Sequence, residues 1–432
     1  MLTPRADGAI VSATAVPLPV MAPRLQGEVL ADGVVDLSLW GVGRLGRVRF
    51  APLEGPYAYG PNRVVGRDGG VYVAQSAPVM LIRGGATARV FPARRCARWH
   101  DISAEDAAPK WTGTPSGRVM GLPWGVLQIE QRGQDLLLSV GVDRDEAARG
   151  MALSGAQIVA EADAYARRCD LLPDADPVLR TMVIQGVHAA LSSIRRDETG
   201  AFAGLAAGQA YSSPARTYYR DGYWTIQPLL TLSPDAVREQ IRLLARGVRP
   251  DGEAPSGVIL SGRAQSKAWR AFREHPDRYK EHHLRPEDWW SDHFDSPLFF
   301  ILMLGDYIRE TGDAAEAERH WSAVAAIVER YFRYAGPDGL PLKPRHDRDW
   351  ADNVYREGLV AYDLGLWVGA MDVVATLGAK LDPALARHAR AAAAQARRTI
   401  DGLLWTEAHQ GYADYATPDG FVEDHLVLDS LT

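Results

Sequence analysis

The feature that most limits what this chain can fold into is a switch of hydrophobic period near residue 145. Between about Gly27 and Val142 the apolar residues alternate in short runs such as VVDLSLWGVG, GVYVAQ, VMLIRGG and ARVF, separated by Gly, Pro and Asp. Period-two alternation between turn residues predicts antiparallel strands. Two such runs flank Arg132-Gly133 in VLQIEQRGQDLLLSV, which predicts a hairpin there.

Beyond Arg144 the segments are rich in Ala, Leu and Arg, with apolar residues three and four apart. That spacing predicts helices over roughly 154–169, 176–195, 219–232, 234–248, 295–311, 313–335, 356–378 and 383–403. Gly312 suits a left-handed helix end, and Asp313 with Glu316 three residues on suits a capping box for the next helix. Asp382-Pro383 is a similar start. The expected fold is multidomain, β then all-α. It has an N-terminal antiparallel β-sandwich over 1–148, with its strands in 27–143, and a helical catalytic domain over 149–432. Consecutive helices with chemistry-rich loops on alternate connections suggest an (α/α)6-type toroid, in which inner-helix N-termini open on one face. A full toroid needs twelve helices. The eight candidates, with a ninth beginning at 423–432, predict one that is incomplete at its C-terminus.

Composition narrows the function. The 432 residues are 47% hydrophobic and 24% charged, enough to bury a large core. With 54 acidic against 48 basic residues and no long block of one sign, the charge pattern points to neither nucleic acid nor a membrane surface. Two cysteines, Cys96 and Cys169, give no disulfide framework and no Cys-based metal site. No signal peptide is legible before Pro23, and no run of ~18 uninterrupted apolar residues occurs, so a soluble cytoplasmic protein is expected. No G-x-S-x-G or P-loop is present, and no cofactor is expected. GVGRLG at 41–46 has the G-x-G-x-x-G spacing but sits amid strand-like sequence with no helix after it.

Three constellations remain. HDRDWADNVYREG places Asp347, Asp349, Asp352 and Glu357 around Trp350. Crowded carboxylates beside an aromatic can hold one carboxyl protonated as a general acid; as a plain surface loop, Asp352 would cap the helix that follows. TYYRDGYWTIQPLL carries Arg220, Asp221, Tyr223 and Trp224 into a helix, donors and acceptors for sugar hydroxyls beside flat apolar rings. The plain alternative there is an ion pair at a helix start with aromatics in the core. EDWWSDHFDSPLFF sets Trp290, Asp292 and Asp295 before a strongly apolar helix; with no His at i+4 of His293, no metal is expected, and Asp295 serves equally as an N-cap. Carboxylates, arginines and aromatics are the equipment of carbohydrate-active sites.

The order of these segments resembles the (α/α)6-toroid glycoside hydrolases of the glycogen-debranching, α-glucosidase and trehalase kind, which often carry an N-terminal β-sandwich. YYRDGYWTIQPLL resembles their Arg-Asp-aromatic segment entering an inner helix. SDHFDSPLFFILMLGDYIRETGD resembles their Asp-Ser-Pro-Leu helix ending in Thr-Gly-Asp. DWADN through LLWTEAHQGYADYATPDGFVEDHLVLDSL resembles their acid-bearing loop, inner helix and G-Y-x-D loop. The resemblance covers most of 211–432. It implies a glycoside or oligosaccharide substrate, glucoside-like and cleaved with inversion, and aligns Asp352 with the general acid. Arg220, Asp221, Trp224, Asp295 and Asp424 align with sugar-pocket residues. The family's water-activating carboxylate lies in a later segment that this sequence does not match, which leaves Glu357, Glu423 or Asp424 as candidates. The alternatives are a carbohydrate-binding or catalytically incomplete toroid, or a polysaccharide lyase on the same fold.

Overall fold

A computed structural model describes residues 2–12, 18–40, 43–84, 89–92, 111–114, 117–122, 125–206, 216–259, 293–351 and 354–425. They fall into two compact units, one holding the residues up to Arg216 and the other Thr217–Val258 with 293–425.

The first unit is rich in antiparallel sheet. Its larger sheet has ten strands, in the order Leu2–Pro4, Ile10–Ser12, Tyr57–Gly60, Arg63–Val65, Gly70–Val73, Val79–Arg83, Asp135–Gly141, Gly125–Arg132, Gly117–Leu122 and Trp111–Thr114. A second sheet of five runs Arg89–Pro92, Gly43–Arg49, Val34–Leu39, Leu25–Leu30 and Leu18–Met21. One apolar core is shared between them: Val35 and Val48 of the smaller sheet cluster with Met80, Ile82, Leu127 and Leu138 of the larger. The alternate residues Val79, Leu81 and Leu137 face the other way, against Met151 and Ile158 of the helices that follow. Both faces of the Val79–Arg83 strand are thus buried, which is why its sequence is a continuous apolar run rather than an alternation.

The hairpin at Arg132 forms, with Arg132 paired to Asp135 and Gly133 at φ +62° in the two-residue loop. GVGRLG enters the Gly43–Arg49 strand, with Leu45 in the core. Helix α1 (Arg144–Met151) is capped by Asp143, and its buried Glu146 pairs with Arg24 at 2.7 Å. A capping box of Ser154 and Gln157 starts α2 (Gly155–Cys169), and Asp176 with Pro177 starts α3 (Pro177–Ser192). The contacts group α1–α3 with the sheets, so the first unit extends past the change of period to Arg216.

Among the described residues, the second unit holds three helical hairpins. They are α4 (Tyr219–Leu232) with α5 (Pro234–Ala245), α6 (Ser296–Thr311) with α7 (Ala314–Arg333), and α8 (Ala361–Leu381) with α9 (Pro383–Thr399). Within each hairpin one or two residues join the helices, which forces the chain to turn straight back. Helix α4 packs on α6 and α6 on α8. Helix α6 is buried over nearly its whole length between α4 and α8, whereas α5, α7 and α9 keep a charged outer face, so α4, α6 and α8 form one row and α5, α7 and α9 another. Gly305 lets α6 and α8 approach, since a Cβ there would lie 2.4 Å from Val373 Cγ2. By length and composition alone α8 could cross a membrane; among the described residues it packs against α6 and α9.

Gly312 ends α6 at φ +72° and Asp382 caps α9 through Leu385 N–H, as the sequence predicts. The capping box at Asp313 does not form. Asp313 accepts instead from Tyr307 OH at 3.0 Å, and Glu316 turns to Arg242. Helix α8 begins at Ala361 rather than 356, because Gly358 sits at φ +82° and Leu359–Val360 pair with Tyr415–Ala416. Helix α9 gives way to a π-turn at Ile400–Leu404. Val422–Glu423 form a strand, so no helix starts at 423, and 426–432 lie outside the described residues.

Candidate functional site

Helices α4, α6 and α8 meet at their first turns. Asp295, the residue before α6, is fully buried, and its Oδ2 accepts from two other helices: Arg220 Nη1 in the first turn of α4 at 3.0 Å, and Tyr362 OH in the first turn of α8 at 3.3 Å. His293 Nδ1 lies 3.5 Å from Oδ1 of the same carboxylate. Asp295 therefore makes no side-chain cap of its own helix. Burial works against its charge, but Arg220 above all, with His293 and Tyr362, holds the carboxyl below its ordinary acidity range.

A second buried network adjoins the first through the backbone, where Phe294 N–H donates to Arg348 O at 2.7 Å. Arg356 grips Asp349 with Nε at 3.2 Å and Nη2 at 2.7 Å, and reaches Asp414 Oδ1 with Nη1 at 2.7 Å. Lys343 Nζ donates to the carbonyls of Asp347 and, at 2.9 Å, of Arg356, and lies 3.8 Å from Asp349. Burial weakens the Arg356 charge, yet Asp349 and Asp414 raise its pKa. Asp363, also in the first turn of α8, is buried with neither carboxyl oxygen hydrogen-bonded. Burial, and then the charges of Asp349 and Asp295, push its pKa well above that of an ordinary carboxyl.

Over this buried layer stand groups that reach solvent. The Arg220 side chain is 20% exposed, and Asp221 and Tyr362 are half-buried. Trp224 and Trp350 are exposed, the latter with its ring 5.8 Å from the Arg356 guanidinium. Tyr223 packs its ring between Trp224 at 5.1 Å and Phe299 of α6 at 5.3 Å, and burial followed by the Asp306 charge lifts its pKa to about 12.

The residues singled out from sequence are thus dispersed. Arg220 and Asp295 come together, Asp221 follows Arg220 in the first turn of α4, and Trp350 is connected to Asp295 through the Arg356 guanidinium and Tyr362. Glu357 is half-exposed and faces Arg345 at 3.7 Å. Asp424 is exposed, 3.8 Å from His409, and takes no part in the buried networks. Asp352, Trp290 and Asp292 lie outside the described residues. Sequence reasoning passed over Lys343, Arg356, Tyr362, Asp363 and Asp414 as site residues. Asp363 carried a usable signal, being an acid in the first turn of an apolar helix, as Asp221 is in α4. Among the described residues no group of three or more His, Cys, Asp or Glu could hold a metal ion.

No protein-family model matches the chain, and no curated protein matches it. Among solved structures it is similar to a GH78 family rhamnosidase of Bacillus sp. GL1, with 18% identity and a TM-score of 0.36 over 48% of this chain and 20% of that one. It is also similar to a rhamnosidase from Klebsiella oxytoca with rhamnose bound, with 15% identity and a TM-score of 0.45 over 100% of this chain and 78% of that one. A candidate kojibiose phosphorylase from the human microbiome shows 9% identity and a TM-score of 0.40 over 90% of this chain and 58% of its own. The chain therefore spans a fifth of the first of these proteins.

Proposed function

We propose that the chain is a glycosidase that binds a pyranoside over the joined starts of α4, α6 and α8 and hydrolyses its glycosidic bond with inversion, on a helical toroid of which the three hairpins are part. The observation that carries this reading is the convergence on Asp295: one buried carboxylate orients Arg220 and Tyr362 from two other helices. A locked arginine and phenol beside Asp221 present directed polar groups to sugar hydroxyls, and Trp224 and Trp350 offer apolar faces to the ring. In this reading Asp352 protonates the leaving oxygen, Glu357 or Asp424 activates water, the substrate is glucoside-like, and the protein works in the cytoplasm without cofactor. Trp290 and Asp292 complete the sugar contacts.

The test is a panel of aryl glycosides and oligosaccharides, with the product anomer followed by NMR. Once a substrate is found, Asp352→Asn is expected to cost about 10²–10⁴-fold on a natural leaving group, and less on an activated aryl one that needs no proton. Equal small losses on both remove Asp352 from the acid role. Sugar binding without turnover would favour the binding-protein alternative, and an unsaturated uronide product the lyase.

A further inference from the structure

The described residues on either side of 352–353 are tied to both neighbouring helix starts. Arg356 and Asp349 form an ion pair, with Nε donating at 3.2 Å and Nη2 lying 2.7 Å from the other carboxyl oxygen, and both side chains are almost wholly buried. Asp349 also accepts from Ala351 N–H at 2.9 Å, and Lys343 holds the carbonyls of Asp347 and Arg356 from below. Arg348 O takes the Phe294 N–H, which ties the segment to the start of α6. The remaining arm of the guanidinium binds Asp414, whose own carbonyl accepts Ala361 N–H at 2.9 Å, the first amide of α8. Above this base the described part of the segment is exposed and apolar, with Trp350, Val354 and Tyr355 all facing solvent.

We propose that Arg356 is the positioning residue of the site. By bridging Asp349 and Asp414 it sets the Trp350-bearing segment against Tyr362 and Asp295, and so fixes how firmly a sugar is held. Its effect on sugars rests on the function proposed above; its effect on the segment does not. The bridge needs the planar fork of arginine, whose separate nitrogens reach Asp349 and Asp414 at once, because a lysine ammonium is a single point and cannot span both carboxylates.

The experiment uses the full chain as Arg356→Lys and Arg356→Met, with Asp414→Asn as a second route should the arginine variants fail to fold. Hydrogen exchange is read on peptides spanning 345–356 and, as an internal control, on α4. Arg356→Lys is expected to speed exchange in 345–356 by at least about tenfold and leave α4 unchanged. On any sugar the wild type turns over, KM is expected to rise about tenfold or more with kcat changed less, since the loss falls on binding rather than on the reacting atoms. Unchanged exchange in 345–356, or equal acceleration in α4, would overturn the proposal, as would a fall in kcat at constant KM. If the wild type binds no sugar, the functional reading fails while the exchange experiment still decides the role of Arg356.

Discussion

Asp295 and Asp363 are both shut away from solvent, and their surroundings drive their acidities in opposite directions. Asp295 receives Arg220 and Tyr362 and is held ionised. Asp363 has no donor on either oxygen, and burial followed by the charges of Asp349 and Asp295 pushes its pKa well above that of an ordinary carboxyl. Charge balance explains the difference: Arg220 answers Asp295, while Arg356 and Lys343 are engaged with Asp349 and Asp414, so Asp363 draws only partial relief from them.

Asp363→Asn should change the pH dependence of stability. With its folded pKa raised, the native state keeps a proton that the unfolded chain releases above about pH 4, so wild-type stability declines as pH rises from there toward the folded pKa. The amide removes that slope. The variant is expected to be about 1–3 kcal/mol more stable than wild type at pH 8 and close to it at pH 3, by urea denaturation. Parallel pH profiles would contradict the raised pKa of Asp363.

Arg220→Met strands the Asp295 carboxylate without its cation. A loss of about 3–5 kcal/mol is expected at pH 7, the usual consequence of removing one member of a buried pair. Because the folded pKa of Asp295 is depressed, the pair contributes above the carboxyl's unfolded pKa and is lost as pH falls through the folded one, so the gap between variant and wild type should narrow in acid. Equal gaps at pH 7 and pH 3 would show that the pair is not the source.

Gly305→Ala tests the contact between α6 and α8. Alanine gains about 1 kcal/mol of helix propensity, but its Cβ collides with a stiff β-branched neighbour, and overpacking costs about 1–3 kcal/mol. Thermal melts should show Gly305→Ala at or below wild type, and the double variant with Val373→Ala above Gly305→Ala alone. Additive effects would mean the two helices are not in contact at this point.

Trp224→Ala and Trp350→Ala remove exposed rings. Stability should move by less than about 0.5 kcal/mol, the usual range for surface positions, while affinity for a bound pyranoside, measured by calorimetry, should fall about tenfold for each if both rings stack on sugar. A loss confined to Trp350 would leave Trp224 outside the site.

What the sequence determines by itself is local. The switch of period near 145, the turn at Gly133, the left-handed end at Gly312 and the cap at Asp382 each depend on residues within a few positions of one another, and each is present in the structure. What it could not determine is which distant groups meet. Asp313 and Glu316 spell a capping box, yet Glu316 answers the charge of Arg242, 74 positions away. Arg356 reads as one of several arginines in an acidic loop until Asp414, 58 positions on, is brought beside it. Asp363 looks like an ordinary first-turn acid until packing removes water and sets the charges of Asp349 and Asp295 against its ionisation. Period and caps come from backbone geometry over one or two turns, which sequence spacing encodes directly. The state of a buried charge is a sum over every group the fold places around it, and only the tertiary structure performs that sum.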